Sequence, residues 1–419
     1  MKMTLKFLAF LFAVCAPVAA QVVPEATSSR GLPVNGILHY DLRYSESAEF
    51  GGQGNREWSI ASGDASYANV RKSLPFAMQY GGGYGWNWGG TSSTGNTFQR
   101  LSLSQGIVRR SWNLTASDNV GYSFQTPTIG FSGIPGTGEP IGGTGSTTPP
   151  DQTILAQNTR TLDNIATVGF GHKLDYATSL SVGGSSSQMR FIDNNGQNSN
   201  SLSADVAVTR RLNRHNSIAG QYSFSRFNYD GANSTAATGA PQLGFSQVNT
   251  AQFSITRQWN RRISTSASFG PQWISSSDSS IVPSSTNVAA SASISESFRK
   301  GGANLAYNHG VQGGSGYMYG GEVDSVDAGY SRSLGRSLSA GLTGGYRRTG
   351  GLSNGELTTG EFGGAQATRQ LGRYLSVFAS YSAIDQSTNL PASTNALNYL
   401  TQMIGFGIGY SPREKRLRH

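Results

Sequence analysis

Apolar residues recur at every second position through most of the chain. In FAMQYGGGYGWNWGG (76–90), Phe76, Met78, Tyr80, Tyr84, Trp86 and Trp88 alternate with Ala77, Gln79, Gly81, Gly83, Gly85 and Asn87. A period of two predicts a β-strand with one apolar face. The same alternation appears in Leu38/Tyr40/Leu42/Tyr44, Leu202/Ala204/Val206/Val208, Val288/Ala290/Ala292/Ile294, Leu338/Ala340/Leu342/Tyr346 and Leu375/Val377/Ala379/Tyr381. The opposite face is small and polar, as in Ala219, Gln221, Ser223, Ser225 or Ser264, Ser266, Ser268.

These segments come in pairs joined by a repeated basic turn. TRRLNRHNSI (209–218), TRQWNRRIS (256–264), SRSLGRSLS (331–339) and TRQLGRYLS (368–376) are copies of one another, and GHKLDYATSL (171–180) and SFRKGGANL (297–305) are looser versions. Start to start they lie 34–47 residues apart, one hairpin plus a Gly/Ser/Asn-rich loop. A β-propeller has repeats of similar length, but its strands are short, four to a blade, and packed on both faces. Two long strands with one polar face suit a wall between lipid and water.

Such a wall must close, because lipid offers no partner to an unpaired backbone amide. The alternation therefore predicts a transmembrane antiparallel up-and-down β-barrel over residues 36–410. Eighteen strands are counted, or 16 if the poorly alternating 55–70 and 355–367 are not strands. An even count puts both ends, and all the short turns, on one side.

Composition narrows the setting. Charged residues make up 13% of 419, glycines number 55, and no mature segment is apolar enough for a membrane-spanning helix. The one strongly apolar run, 5–20, follows Lys2 and Lys6 and ends in Val18-x-Ala20, a cleavable secretory leader over 1–20. Residues 21–35 then read as a periplasmic linker and 411–419 as a basic periplasmic tail. Cys15, the sole cysteine, leaves with the leader, which excludes disulfides and a thiol nucleophile. His39, His172, His215, His309 and His419 show no ligand spacing, so neither a metal nor another cofactor is expected. No catalytic motif assembles, and the chain reads as a non-enzyme.

The formal charge of +9 is concentrated. Of the 30 basic residues left after the leader, 17 fall in the short turns and four in the tail SPREKRLRH. This predicts a cationic collar at the periplasmic rim that meets lipid phosphates. Basic clusters also bind nucleic acid, but an exported barrel does not meet it.

Candidate sites follow from the two faces. Inward charges are few: His39, Asp41 and Arg43 on the first strand, then Asp205 and Asp327. They are the candidate lumen-lining residues in a wall otherwise small and neutral. Outward, Phe76 and Trp86 lie ten residues apart, about 33 Å of strand and about 25 Å of height at a tilt near 40°. With Trp112, Phe124 and Tyr410 they form the candidate aromatic girdle. Asp118 sits among apolar outward positions, and a β-bulge that turns it inward is expected. The irregular segment 126–153 is the candidate for a loop that folds into the barrel, with an exposed surface loop as the alternative.

The final strand, QMIGFGIGYSPR, carries Ile404, Phe406, Ile408 and Tyr410 on one face, and it resembles the C-terminal signal by which outer-membrane barrels are recognised for insertion. Nine residues follow Tyr410, whereas such barrels usually end at the aromatic residue. Together with the hairpins, the chain resembles porin-like outer-membrane β-barrels. That resemblance implies outer-membrane lipids and the barrel-assembly machinery as partners, and it sets no oligomeric state. It also implies a diffusion pore for small hydrophilic solutes with weak charge selectivity. The alternative is a surface or assembly barrel that binds a partner or guides an exported polysaccharide.

Overall fold

The computed structural model describes residues 36–51, 55–69, 73–88, 95–125, 159–192, 198–230, 244–312, 320–353, 355–389, 398–412 and 415–417. The leader and the segment 126–153 lie outside them. The first strands are β1 (Gly36–Gly51), β2 (Arg56–Asn69), β3 (Phe76–Asn87), β4 (Gly95–Val108), β5 (Trp112–Gln125) and β6 (Thr159–Lys173). Next come β7 (Thr178–Phe191), β8 (Asn198–Arg211), β9 (Asn216–Asp230), β10 (Phe245–Gln258), β11 (Ile263–Ser276) and β12 (Ser285–Phe298). The last are β13 (Gly301–Gln312), β14 (Gly321–Ser333), β15 (Leu338–Gly351), β16 (Leu357–Gln370), β17 (Leu375–Thr388) and β18 (Tyr399–Tyr410). A short β19 (Lys415–Leu417) adds to the first residues of β1.

Each strand pairs antiparallel with the next, and β1 pairs with β18 over ten residue pairs. The result is a closed 18-stranded up-and-down barrel of porin-like architecture, as the alternation predicts. The two weakly alternating segments are the full strands β2 and β16. Strands of 14 residues run about 46 Å and rise about 35 Å at a tilt near 40°, taller than the ~25 Å apolar band of a membrane barrel.

Directly opposed residues share a face, so the register carries the alternation around the wall. Leu42 faces Tyr410, Tyr410 faces Leu375, and all three point outward. The outer face is apolar and uncovered: Leu42, Phe269, Leu342, Phe406 and Ile408 are each more than half exposed. Near the end of the barrel away from the short turns the apolar surface gives way to a polar network. There His309 bonds Asp324 at 2.8 Å and Glu322 at 3.2 Å, and Tyr307 donates to Asp324.

Asp118 corrects the bulge expectation. Its register is unbroken, with Leu103 on one side and Ala166 on the other, so it points outward among apolar neighbours. What makes this tolerable is Asn164 on β6, also outward, whose Nδ2 donates to Asp118 Oδ1 at 2.7 Å. A bonded partner removes much of the reason for the backbone to turn the carboxylate away.

The repeated turns all lie at the end that holds Gly36 and Tyr410, and their chemistry explains the repeat. Leu174, Leu212, Trp259, Leu334 and Leu371 each donate their amide to the carbonyl four residues on. In three copies the next residue, Asp175, Asn213 or Asn260, accepts from two following amides at 2.5–2.9 Å. Gly335 replaces this Asx lock by adopting φ +115°, open to glycine without strain. The Ala177 and Thr178 amides hold the Asp175 carboxyl below the usual carboxylate range. Its contribution to the turn is therefore fully present above that range and is lost as pH falls from there through the lowered native value. The five apolar turn residues are more than half exposed and flanked by arginines or, at Leu174, by Lys173, with Arg257 stacked 3.8 Å over the Trp259 ring.

Candidate functional site

The inward face is the surface a solute would meet. Its half nearer the short turns is built from hydroxyls that bond one another across the strands. Ser264–Ser295, Ser266–Ser293 and Ser268–Ser291 are 2.6–2.8 Å apart, and Ser185–Ser203 and Ser117–Thr167 repeat the arrangement. A wall whose hydroxyls are mutually satisfied offers only weak further hydrogen bonding.

Charges on this face lie flat over glycines. A Cβ on Gly121 would stand 2.6 Å from Asp163 Oδ1, one on Gly345 would stand 2.7 Å from Asp327 Oδ1, and one on Gly183 would collide with Asp205. Each missing side chain is the bed of a neighbouring carboxylate. Cations sit alongside: Arg100 shares the Gly121 register with Asp163, and Arg347 lies diagonal to Asp327. Replacing Gly183 with alanine should lift Asp205 off the wall at little cost in stability, because a flexible carboxylate yields more easily than backbone. The expected result is a shift toward cation preference, read as the reversal potential across a salt gradient.

The half away from the short turns differs from the small, neutral wall expected from the sequence. Phe227 and Tyr229 (β9), Val248 (β10), Ile274 (β11), Val311 (β13) and Val282 from the β11–β12 loop form a buried apolar cluster. Leu352, from the turn after β15, packs against it. That turn is six strands removed from β9, so the contact is a chord across the mouth. Gly320 fits between Leu352 and the Tyr229 hydroxyl, and its φ of +101° suits only glycine. The loop is braced by Ser276, whose hydroxyl reaches the carbonyls of Asp278 and Val282 at 2.9 and 2.7 Å. Gln272 donates to and accepts from the backbone of Val311, drawing the end of β13 inward. A second cluster joins Ile384, Tyr399 and Phe362. Trp58 and Ile60 on β2 are also buried inward, and Trp58 donates to Glu49 at 3.1 Å.

The structure brings His39, Asp41 and Arg43 together on the inward face of β1. Arg43 donates to Asp41 Oδ2 at 2.7 Å, and all three border a cavity of about 340 Å³ near the short-turn end. Asp64 on β2 lies directly opposite Asp41 and joins the group. Sequence reading missed Asp64 because its strand alternates poorly; the register partner of Asp41 is not visible until β1 and β2 are paired. Asp205 and Asp327 face inward on other strands, apart from this group.

Phe76, Trp86, Trp112 and Tyr410 all face outward. Phe76, Trp112 and Tyr410 lie at the short-turn end, beside Tyr67, Phe170 and Tyr374 respectively. Trp86 lies at the far end of β3, edge-on to Tyr84 at 4.8 Å. Phe124 takes an outward register opposite Arg160, and its side chain lies outside the described residues.

No family model matches the chain, and no curated protein matches it. Among solved structures it is similar to OccK5 (OpdH) of Pseudomonas aeruginosa, at 10% identity over 90% of this chain and 98% of that one, with a TM-score of 0.47. OccK2 (OpdF) of the same organism gives 11%, 90%, 98% and 0.45. OccAB4 of Acinetobacter baumannii gives 8%, 91%, 98% and 0.45. At that distance the site has to be read from its own residues.

Proposed function

We propose that this barrel is a non-enzymatic outer-membrane channel for small hydrophilic solutes, entered from outside through a narrow apolar mouth. The reading rests above all on a closed wall with two chemistries, apolar outward and hydroxyl-lined inward. Lipid can solvate the first face and water the second, and 18 strands leave room for an aqueous lumen. Selectivity for charge is weak in this reading, because inward carboxylates lie on the wall beside cations. Outer-membrane lipid holds the apolar belt, and the arginine-flanked turns meet phosphates at the periplasmic rim.

The experiment is conductance of the purified full-length barrel in planar bilayers. Small stepwise currents, with little preference between cation and anion, are expected. A barrel that inserts but stays sealed would sink the pore reading. The surface or assembly reading would then stand, and the apolar cap over the outer mouth is the observation that favours it.

A further inference from the structure

The group at the short-turn end of β1 has an unresolved electrostatic problem. Asp41 and Asp64 stand directly opposite each other on the same face, where like charges repel. Arg43 occupies only one oxygen of Asp41. The other, Oδ1, is buried in a residue only 6% exposed and has no hydrogen-bond partner. His39 Nδ1, on the same face two residues away, is likewise buried and unpartnered. Two carboxyl groups thus share one arginine, and Asp41 Oδ1 and His39 Nδ1 are left as buried polar atoms without a partner on the same face.

We propose that His39, Asp41 and Asp64 bind a divalent metal ion of the zinc or manganese type in the lumen wall. One donor atom from each residue lies within 4.8 Å of the others. Three donors held at about 2.0–2.2 Å from a shared ion stand roughly 3–4 Å apart, so a small side-chain adjustment closes the set. One imidazole with two carboxylates suits a borderline ion better than calcium or magnesium, which take oxygen ligands. Arg43, bonded to the oxygen of Asp41 that the metal does not need, fixes the carboxylate's orientation as an outer partner. The protein supplies three ligands, so the remaining coordination positions face the 340 Å³ cavity, open to water or to an oxygen of an anionic solute. The ion also clasps β1 to β2, beside the seam where β1 meets β18.

The test uses the full-length barrel refolded in detergent, stripped of metal and titrated with Co²⁺ near neutral pH, with Zn²⁺ as competitor. Expected are visible d–d absorption, displacement by Zn²⁺, and one equivalent retained in equilibrium dialysis. Asp64→Asn and His39→Gln should each weaken binding by more than about 10-fold, the lower range seen for loss of a mere outer-shell partner. Asp205→Asn, on the lumen wall elsewhere, should leave it unchanged. Each variant is compared only after its folded barrel has been verified by circular dichroism. Absence of binding, as for a carboxylate pair bridged by a shared proton alone, overturns the proposal. So does binding that Asp64→Asn leaves intact, which would place the ion elsewhere. None of these readouts depends on conductance, so the site and the channel can fail separately.

Discussion

Replacing Phe269 with arginine is expected to cost the barrel about 2–4 kcal/mol in lipid vesicles. Phe269 lies at the middle of β11, faces outward and is 63% exposed. On a water-facing surface the same substitution would change stability by no more than about 0.5 kcal/mol. The sign and size therefore report what solvates the outer wall. Phe269 also meets Phe253 edge-on at 6.2 Å, a contact worth about 0.5–1.5 kcal/mol, so Phe269→Ala is the proper reference for the arginine. The partner control is Ser268→Arg, one residue along and inward, where lumen water solvates the guanidinium and only the bond to Ser291 is lost. Denaturant unfolding from vesicles measures all three. Equal stabilities for the inward and outward arginines would remove the membrane-facing belt from the account.

Phe227→Ala should destabilise the barrel by about 3–5 kcal/mol, the range for a large aromatic removed from a packed core. Phe227 belongs to a part of the lumen that packs like a soluble interior, where Val282 is fully buried. The substitution removes the ring against which the β11–β12 loop seats. It is therefore expected to raise single-channel conductance as well as lower stability. A drop under about 1 kcal/mol with unchanged current would mean that the cluster neither braces the wall nor narrows the mouth.

These two residues also mark where the sequence could and could not be read. Phe269 belongs to an outward row whose period is two, and that row predicts its strand, its face and its neighbours. Phe227 and Tyr229 sit on the same strand as outward Tyr222 and Phe224, but on the opposite face. Where both faces of a strand are apolar, alternation carries no information. The weak signal of β2 and β16 has that cause, since Trp58, Ile60 and Phe362 point inward. Large residues at inward parity near the long loops were the available sign that the mouth is filled. The Asp41–Asp64 opposition required a register between strands, and a single-strand pattern does not hold one. Asp118 shows the complementary failure: its apolar neighbours predicted a bulge, while the answer lay on β6, 46 residues away, in Asn164.

The seam between β1 and β18 bears on the order in which the barrel is made. Among the described strands β1 to β18 every other pairing joins sequence neighbours, and four of the turns at one rim carry their own Asx or glycine lock. Hairpins can thus form from local contacts at little loop-closure cost, whereas the seam must bring together residues 350 or more positions apart. Closure is the step that contact order makes slow. At this seam Gly407 faces the carbonyl of Tyr44, where a Cβ would collide with backbone, and the Phe378 ring lies across it from the other side. A side chain there would crowd the Phe378 ring within the β17–β18 hairpin, which a ring can relieve by swinging aside, and would meet fixed Tyr44 backbone at the last encounter. The species it would trap is an open sheet with two unpaired edges, which is the form most exposed to aggregation.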